Sequence, residues 1–180
     1  MRKLPLVFAA VLLFTLSVGC TTVSPTPNPV DTRPADFNLV YQWQAGSLPP
    51  PYHYEYTITI DSAGQGQIVM VPDYSFSNPP TWTEPFVLTT AALDQLYRLL
   101  IDKGLFTQRW QAQTDPPVGG SYDSLHVTAH GQQIAIPSFV LPTQVTAAED
   151  LSAAVRTLVP QNIWNRLNLQ REQYVAEHEK

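Results

Sequence analysis

Apolar and polar residues alternate most regularly in YHYEYTITI, residues 52–60. Tyr52, Tyr54, Tyr56, Ile58 and Ile60 fall on one side, with His53, Glu55, Thr57 and Thr59 on the other, which is the period of a half-buried strand. The stretch Asp61-Ser-Ala-Gly64-Gln-Gly66 has turn chemistry, so residues 67–71 are expected to return as an antiparallel partner. Residues 37–43, FNLVYQW, alternate in the same way and predict an earlier strand. Residues 72–88 carry Pro72, Pro79, Pro80 and Pro85 and read as a loop.

The period then lengthens. Thr89 or Thr90 is placed to cap a helix whose apolar stripe is Leu93, Leu96, Tyr97, Leu100 and Ile101. Lys103 suits its C-terminal end and Gly104 its stop. A polar connector, residues 107–123, leads to a second alternating run in which Leu125, Val127 and Ala129 point inward. Gly131 turns that run, and residues 133–136 answer it. Thr146-Ala-Ala-Glu149 has the form of a capping box and opens a helix bearing Leu151, Ala154, Val155 and Leu158. Pro160 starts a short helix with Ile163, Trp164 and Leu167, and the charged residues 170–180 read as a fraying tail. The predicted order is therefore β-ββα-ββα. Each hairpin has one apolar face and each helix one apolar stripe, and helices on one face of a single sheet bury both. The expected architecture is an α+β two-layer sandwich, with an antiparallel sheet of four or five strands, in one domain over residues 37–169.

The first residues have another character. Arg2 and Lys3 precede a run, residues 4–18, that is apolar apart from Thr15 and Ser17. This is the form of a secretory signal peptide, and it falls short of the ~20 residues that span a bilayer. Cys20, the only cysteine, stands where this run gives way to Thr, Ser, Pro and Asn. A lone thiol in an exported chain is open to oxidation and mispairing; lipidation of its sulfur removes that hazard. Leu16-Ser17-Val18-Gly19-Cys20 resembles the lipobox of bacterial lipoproteins, with Ser17 where the family prefers leucine. The resemblance implies cleavage after Gly19, a diacylglyceryl group on Cys20 and usually a further acyl chain, palmitate-like in size, on the new amino terminus. Two or more acyl chains anchor a protein stably to a membrane. Residues 20–36 would then be the lipidated cysteine and a disordered Thr/Pro tether.

The domain carries a resemblance of its own. The strand pair Tyr54-x-Tyr56-x-Ile-Thr-Ile60 with Gly64, Gly66 and Ile68, the Lys103-Gly-Leu-Phe106 helix end and the segment from Ser121-Tyr-Asp-Ser-Leu125 to Ile136-Pro137 carry it. Together they resemble an uncharacterised family of bacterial, often cyanobacterial, lipoproteins and secreted proteins. The resemblance spans residues 37–169. It bears on fold and location and transfers no catalytic residue.

Charge narrows the partners. Removing residues 1–19 takes away Arg2 and Lys3 and moves the formal net charge from -5 to -7. An acidic domain without clustered Lys and Arg argues against nucleic acid and against charge-driven binding to anionic lipid. The expected partners are the membrane, through the N-terminal lipid, and an envelope protein or glycan.

Candidate chemistry is sparse. No G-x-G-x-x-G, Walker or G-x-S-x-G sequence occurs, and no cofactor is expected. His126 and His130 share a strand face but lie four residues apart, about 13 Å, too far for one zinc ion. His53 and Glu55 on a neighbouring strand make a metal cluster with His126 conceivable. Ser121, Asp123 and His126 hold the residue types of a hydrolase triad, whose identity depends on geometry. Asp73 and Glu84 near Trp82, and Asp115 near Trp110, pair acids with tryptophan as glycosidases do. Against these stands a non-catalytic reading, in which Tyr52, Tyr54, Trp82 and Trp110 form a binding surface. The sequence favours an envelope-anchored binding or scaffolding module, with a small hydrolase or metal-dependent enzyme as the alternative; neither catalytic nor metal-binding residues are assigned.

Overall fold

The computed structural model describes residues 32–179. The signal segment, Cys20 and the tether as far as residue 31 lie outside the described residues. The fold is α+β, with one six-stranded antiparallel sheet ordered β4-β3-β2-β1-β5-β6. Its strands are β1 (Asn38–Gln44), β2 (Glu55–Asp61), β3 (Gln65–Val71), β4 (Trp82–Val87), β5 (Tyr122–Ala129) and β6 (Gln132–Ile136). The helices are α1 (Thr90–Asp102), α2 (Val145–Leu158) and α3 (Gln161–His178). No helix among the described residues is long and apolar enough to cross a membrane.

The sheet has six strands where four or five were expected, because residues 82–87 form β4 and not a loop. Met70 pairs with Trp82 and Gly66 with Phe86, which puts Trp82, Glu84 and Phe86 on the helix side. Pro85, opposite Gln67, obscured this strand in the sequence. Proline lacks a donor, and β4 is an edge strand that tolerates the loss on its open side.

The register explains the core. Ile68, Ile58, Tyr41, Leu125 and Ile136 lie side by side across five strands. The next row holds Ile60, Leu39 and Val127. All of these are buried, together with Leu93, Leu96, Tyr97 and Leu100 of α1, Leu151 and Val155 of α2, and Ile163 and Leu167 of α3. The other face carries Gln42, Gln44, Glu55, Gln67, Thr83 and His126, all exposed. The helices thus form one layer and leave the polar face of the sheet in solvent.

Helix ends follow local chemistry. The Thr89 hydroxyl accepts from Ala92 N–H at the start of α1. At its end Gly104 has φ +76, its N–H reaches Ile101 and that of Leu105 reaches Leu100, a Schellman stop that tucks buried Leu105 under the helix. The capping box expected at Thr146 is not used. Helix α2 begins at Val145, directly after a 3-10 turn over Pro142–Gln144. Buried Gln144 holds that start by donating to the Arg109 carbonyl and accepting from Gln111 N–H.

Both chain ends depart from the sequence reading. The tail from residue 170 continues α3 to His178, and Tyr174 is buried with its ring edge-on to Trp82. The last part of the expected tether packs on the domain: Arg33 pairs with Asp94 and donates to the Ser62 carbonyl, and Asp36 binds the β5–β6 turn. The chain therefore enters at the end of the sheet that carries the β2–β3 and β5–β6 turns. The far end, about 20 Å away along seven-residue strands, gathers the loops around residues 45–54, 72–81, 111–121 and 137–141.

Candidate functional site

That far end holds a cleft. Strand β6 pairs with β5 only from Leu125 to Ala129, whereas β1 pairs with β5 from Tyr122 to Thr128. Pro137 takes the chain away, and residues 111–113 and 139–141 bond to each other instead. Tyr122–Ser124 is consequently left as an open strand edge. A cleft of about 550 Å³ lies beside it on the helix side, lined by Trp43, Gln113, Ser121, Asp123, Ser138 and Arg156 among others. A second hollow of about 270 Å³, lined in part by Gln42, Gln44, Glu55 and Thr57, shares Trp43, Asp123, Ser124 and Ser138 with it.

A hydrogen-bonded chain crosses the inner cleft. The Tyr41 hydroxyl donates to Asp123 Oδ2 at 3.1 Å and accepts from Arg156 Nη1 at 3.3 Å. Residues 41 and 123 are brought together because both point to the helix side of adjacent strands, in neighbouring registers. Arg156 comes from α2, whose polar positions Glu149, Ser152 and Arg156 line the cleft at helical spacing beside the apolar stripe. Burial pushes the Tyr41 hydroxyl well above the ordinary tyrosine range, with Tyr56 and Asp123 adding to it. Burial likewise pushes Tyr56 up to about 12. Burial disfavours the Arg156 charge, but the oxygens of Tyr41, Tyr56 and Asp123 outweigh it and raise its pKa above the usual arginine value. Both tyrosines are neutral and Arg156 is charged at neutral pH. Arg156 has no ion-pair partner within 4.0 Å among the described residues.

Aromatic rings wall this group. Trp43 stacks on Tyr56 at 5.1 Å and lies 4.8 Å from Tyr54. Trp164 stands edge-on to Tyr56 and donates its indole N–H to the Arg156 carbonyl, which fixes the last turns of α2 against α3. The Arg171 guanidinium lies over the Tyr54 ring at 4.5 Å. On the outer side His53, Tyr74 and Phe76 form a three-ring stack, at 3.8 and 5.2 Å, that ends in Phe76 with 78% exposure.

Of the aromatic residues picked from sequence, Tyr52, Tyr54 and Trp82 each meet the C-terminal end of α3, and Trp110 lies apart from them. Tyr52 and Tyr54 precede β2 instead of belonging to it. The Tyr52 hydroxyl donates to Glu179, Tyr54 is covered by Arg171, and Trp82 packs on Tyr174. Trp110 donates to the Leu105 carbonyl beyond α1, and no ring contact joins it to the other three among the described residues.

The candidate catalytic sets are dispersed. Asp123 points to the helix side and His126 to the exposed side of the same strand, so Ser121, Asp123 and His126 make no triad. His53 is buried against Tyr74, its Nδ1 3.5 Å from the Gly46 carbonyl. Glu55 and His126 sit on strands separated by β1 and four positions apart in register, roughly 16 Å from each other. No group of three His, Cys, Asp or Glu able to hold a metal ion exists among the described residues. Glu84 forms a bidentate pair with Arg166, which holds its carboxyl below the usual range, while buried Asp73 faces Tyr174 two helical turns away. Asp115 is exposed in its loop.

Sequence reasoning read Tyr41, Trp43 and Tyr56 as strand positions facing the core and passed over Arg156. The usable signal was the polar series Glu149, Ser152, Arg156 flanking an apolar helical stripe. No family model and no curated protein matches this chain.

Proposed function

We propose that this protein is a lipid-anchored module of the cell envelope, held by Cys20 and binding its ligand at the cleft around Tyr41, Asp123 and Arg156. One observation carries the reading: the chain enters at one end of the sheet, and the cleft opens at the other. An anchor acting through residues 20–31 therefore leaves the binding end free to face away from the membrane. The lipobox-like Leu16–Cys20 supplies the anchor, and the acidic domain supplies no basic patch for nucleic acid. An enzymatic role has less support, because the residues that would perform catalysis are spread over both faces of the sheet. Fractionation tests the proposal. Full-length protein should leave membranes only with detergent, and Cys20→Ser should leave them with buffer alone; membrane retention of Cys20→Ser contradicts the lipid anchor.

A further inference from the structure

We infer that the cleft takes a neutral oligosaccharide, an inference that rests on the reading of the domain as a binding module. Three features of the lining select this chemistry. First, opposite charges are juxtaposed: the Asp123 carboxylate and the Arg156 guanidinium stand on either side of one hydroxyl, that of Tyr41. An acceptor next to a donor matches two neighbouring sugar hydroxyls, each of which both donates and accepts. A strongly anionic ligand would meet the carboxylates of Asp123, Glu149 and Asp150, the last already paired with Lys103, and a cationic one would meet Arg156. Second, the uncharged polar side chains are short hydroxyls and an amide, from Ser121, Ser124, Ser138, Ser152 and Gln113, set beside the rings of Trp43 and Phe139. Aromatic surface for sugar C–H groups and uncharged donors for hydroxyls occur together here.

Third, the open edge suits a sugar better than an extended peptide. A peptide that adds a strand needs a run of free backbone groups and pockets for alternate side chains. Only Tyr122–Ser124 is open on that side, since Leu125 is already paired with Ile136. A sugar ring needs one or two such groups. The cleft, about 550 Å³, is within the range of small-ligand sites and suits a short oligosaccharide.

The test is titration of the isotope-labelled full-length protein in detergent with chitotetraose, maltotetraose, cellotetraose and, for comparison, tetra-alanine, followed by backbone amide shifts. A saccharide should bind and shift Tyr122–Ser124 and Arg156 first. Asp123→Asn should weaken it about tenfold or more, the loss expected for a hydrogen bond to a charged group. Ser138→Trp, at an exposed position on the cleft rim, should abolish it, and Val87→Ser at the opposite end should leave it unchanged. Melting curves establish that each variant folds. Tetra-alanine binding in place of every saccharide, with the same shifts, overturns the ligand class and leaves the module reading standing. Saccharide shifts confined to other surfaces, or no shift at 10 mM of any saccharide, overturn the inference; membrane fractionation of Cys20→Ser is unaffected by either result.

Discussion

The Asp36 carboxylate accepts from the backbone N–H groups of His130 and Gly131 at 3.0 and 2.6 Å. These two residues form the tight β5–β6 turn, both with positive φ, and such a turn presents adjacent N–H groups to an anion. The contact fastens the start of β1 to a turn more than ninety residues away in sequence. With Arg33, which pairs with Asp94, it fixes the entry of the chain into the domain and sets where a tether can begin.

A pH dependence follows. The Gly131 N–H, with help from His130, holds the Asp36 carboxyl below its ordinary value of 3.8. A carboxyl with a depressed folded pKa contributes stability that is fully present above its unfolded pKa and is lost as pH falls through the lower folded value. Asp36→Ala should therefore melt at a lower temperature than wild type at pH 7, and the gap should be smaller at an acid pH below the ordinary carboxylate range. A gap of equal size at both pH values contradicts the ionised contact.

The boundary of the tether is testable by two deletions. Loss of residues 21–31 should leave the melting temperature unchanged, whereas loss of residues 21–36 removes the Arg33 and Asp36 contacts and should lower it by several degrees. Equal melting temperatures for both deletions would return the boundary to residue 37.

The C-terminal helix carries its own prediction. Tyr174 is buried between Trp82 and Asp73, so Tyr174→Ala should cost about 3 kcal/mol in denaturant unfolding. A cost near zero would mean that the end of α3 frays as its charged sequence suggested.

Leu96 tests the helix layer. It is 4% exposed on the face that α1 turns inward, and Leu96→Ala should cost about 2–5 kcal/mol. A loss below about 0.5 kcal/mol would be incompatible with that face.

Much of this fold was legible because two periods dominate it. Ile58 and Ile60, or Leu125 and Val127, announce strands by alternation, and Leu93, Leu96 and Leu100 announce a helix by spacing. The misses have physical causes. Pro85 hid β4, since a proline forbidden in a central strand is tolerated at an edge. Thr146 and Glu149 imitated a cap, but the preceding 3-10 turn and the tertiary bonds of Gln144 start α2 earlier. The charged run after Arg171 hid an amphipathic helix whose inward residues, Leu167 and Tyr174, are two turns apart. The cleft was less legible than the fold. Tyr41 and Asp123 meet only through strand register across eighty-two positions, and Arg156 joins them through helix packing; no local spacing encodes that meeting.

The most direct measurement is the intact mass of full-length protein extracted from bacterial membranes, beside Cys20→Ser. The expected mass is that of a chain beginning at Cys20, increased by a diacylglyceryl group with or without a further acyl chain, and absent from Cys20→Ser. An unmodified mass, whether uncut or cut at another position, would contradict the lipid anchor and leave the domain without its proposed attachment to the envelope.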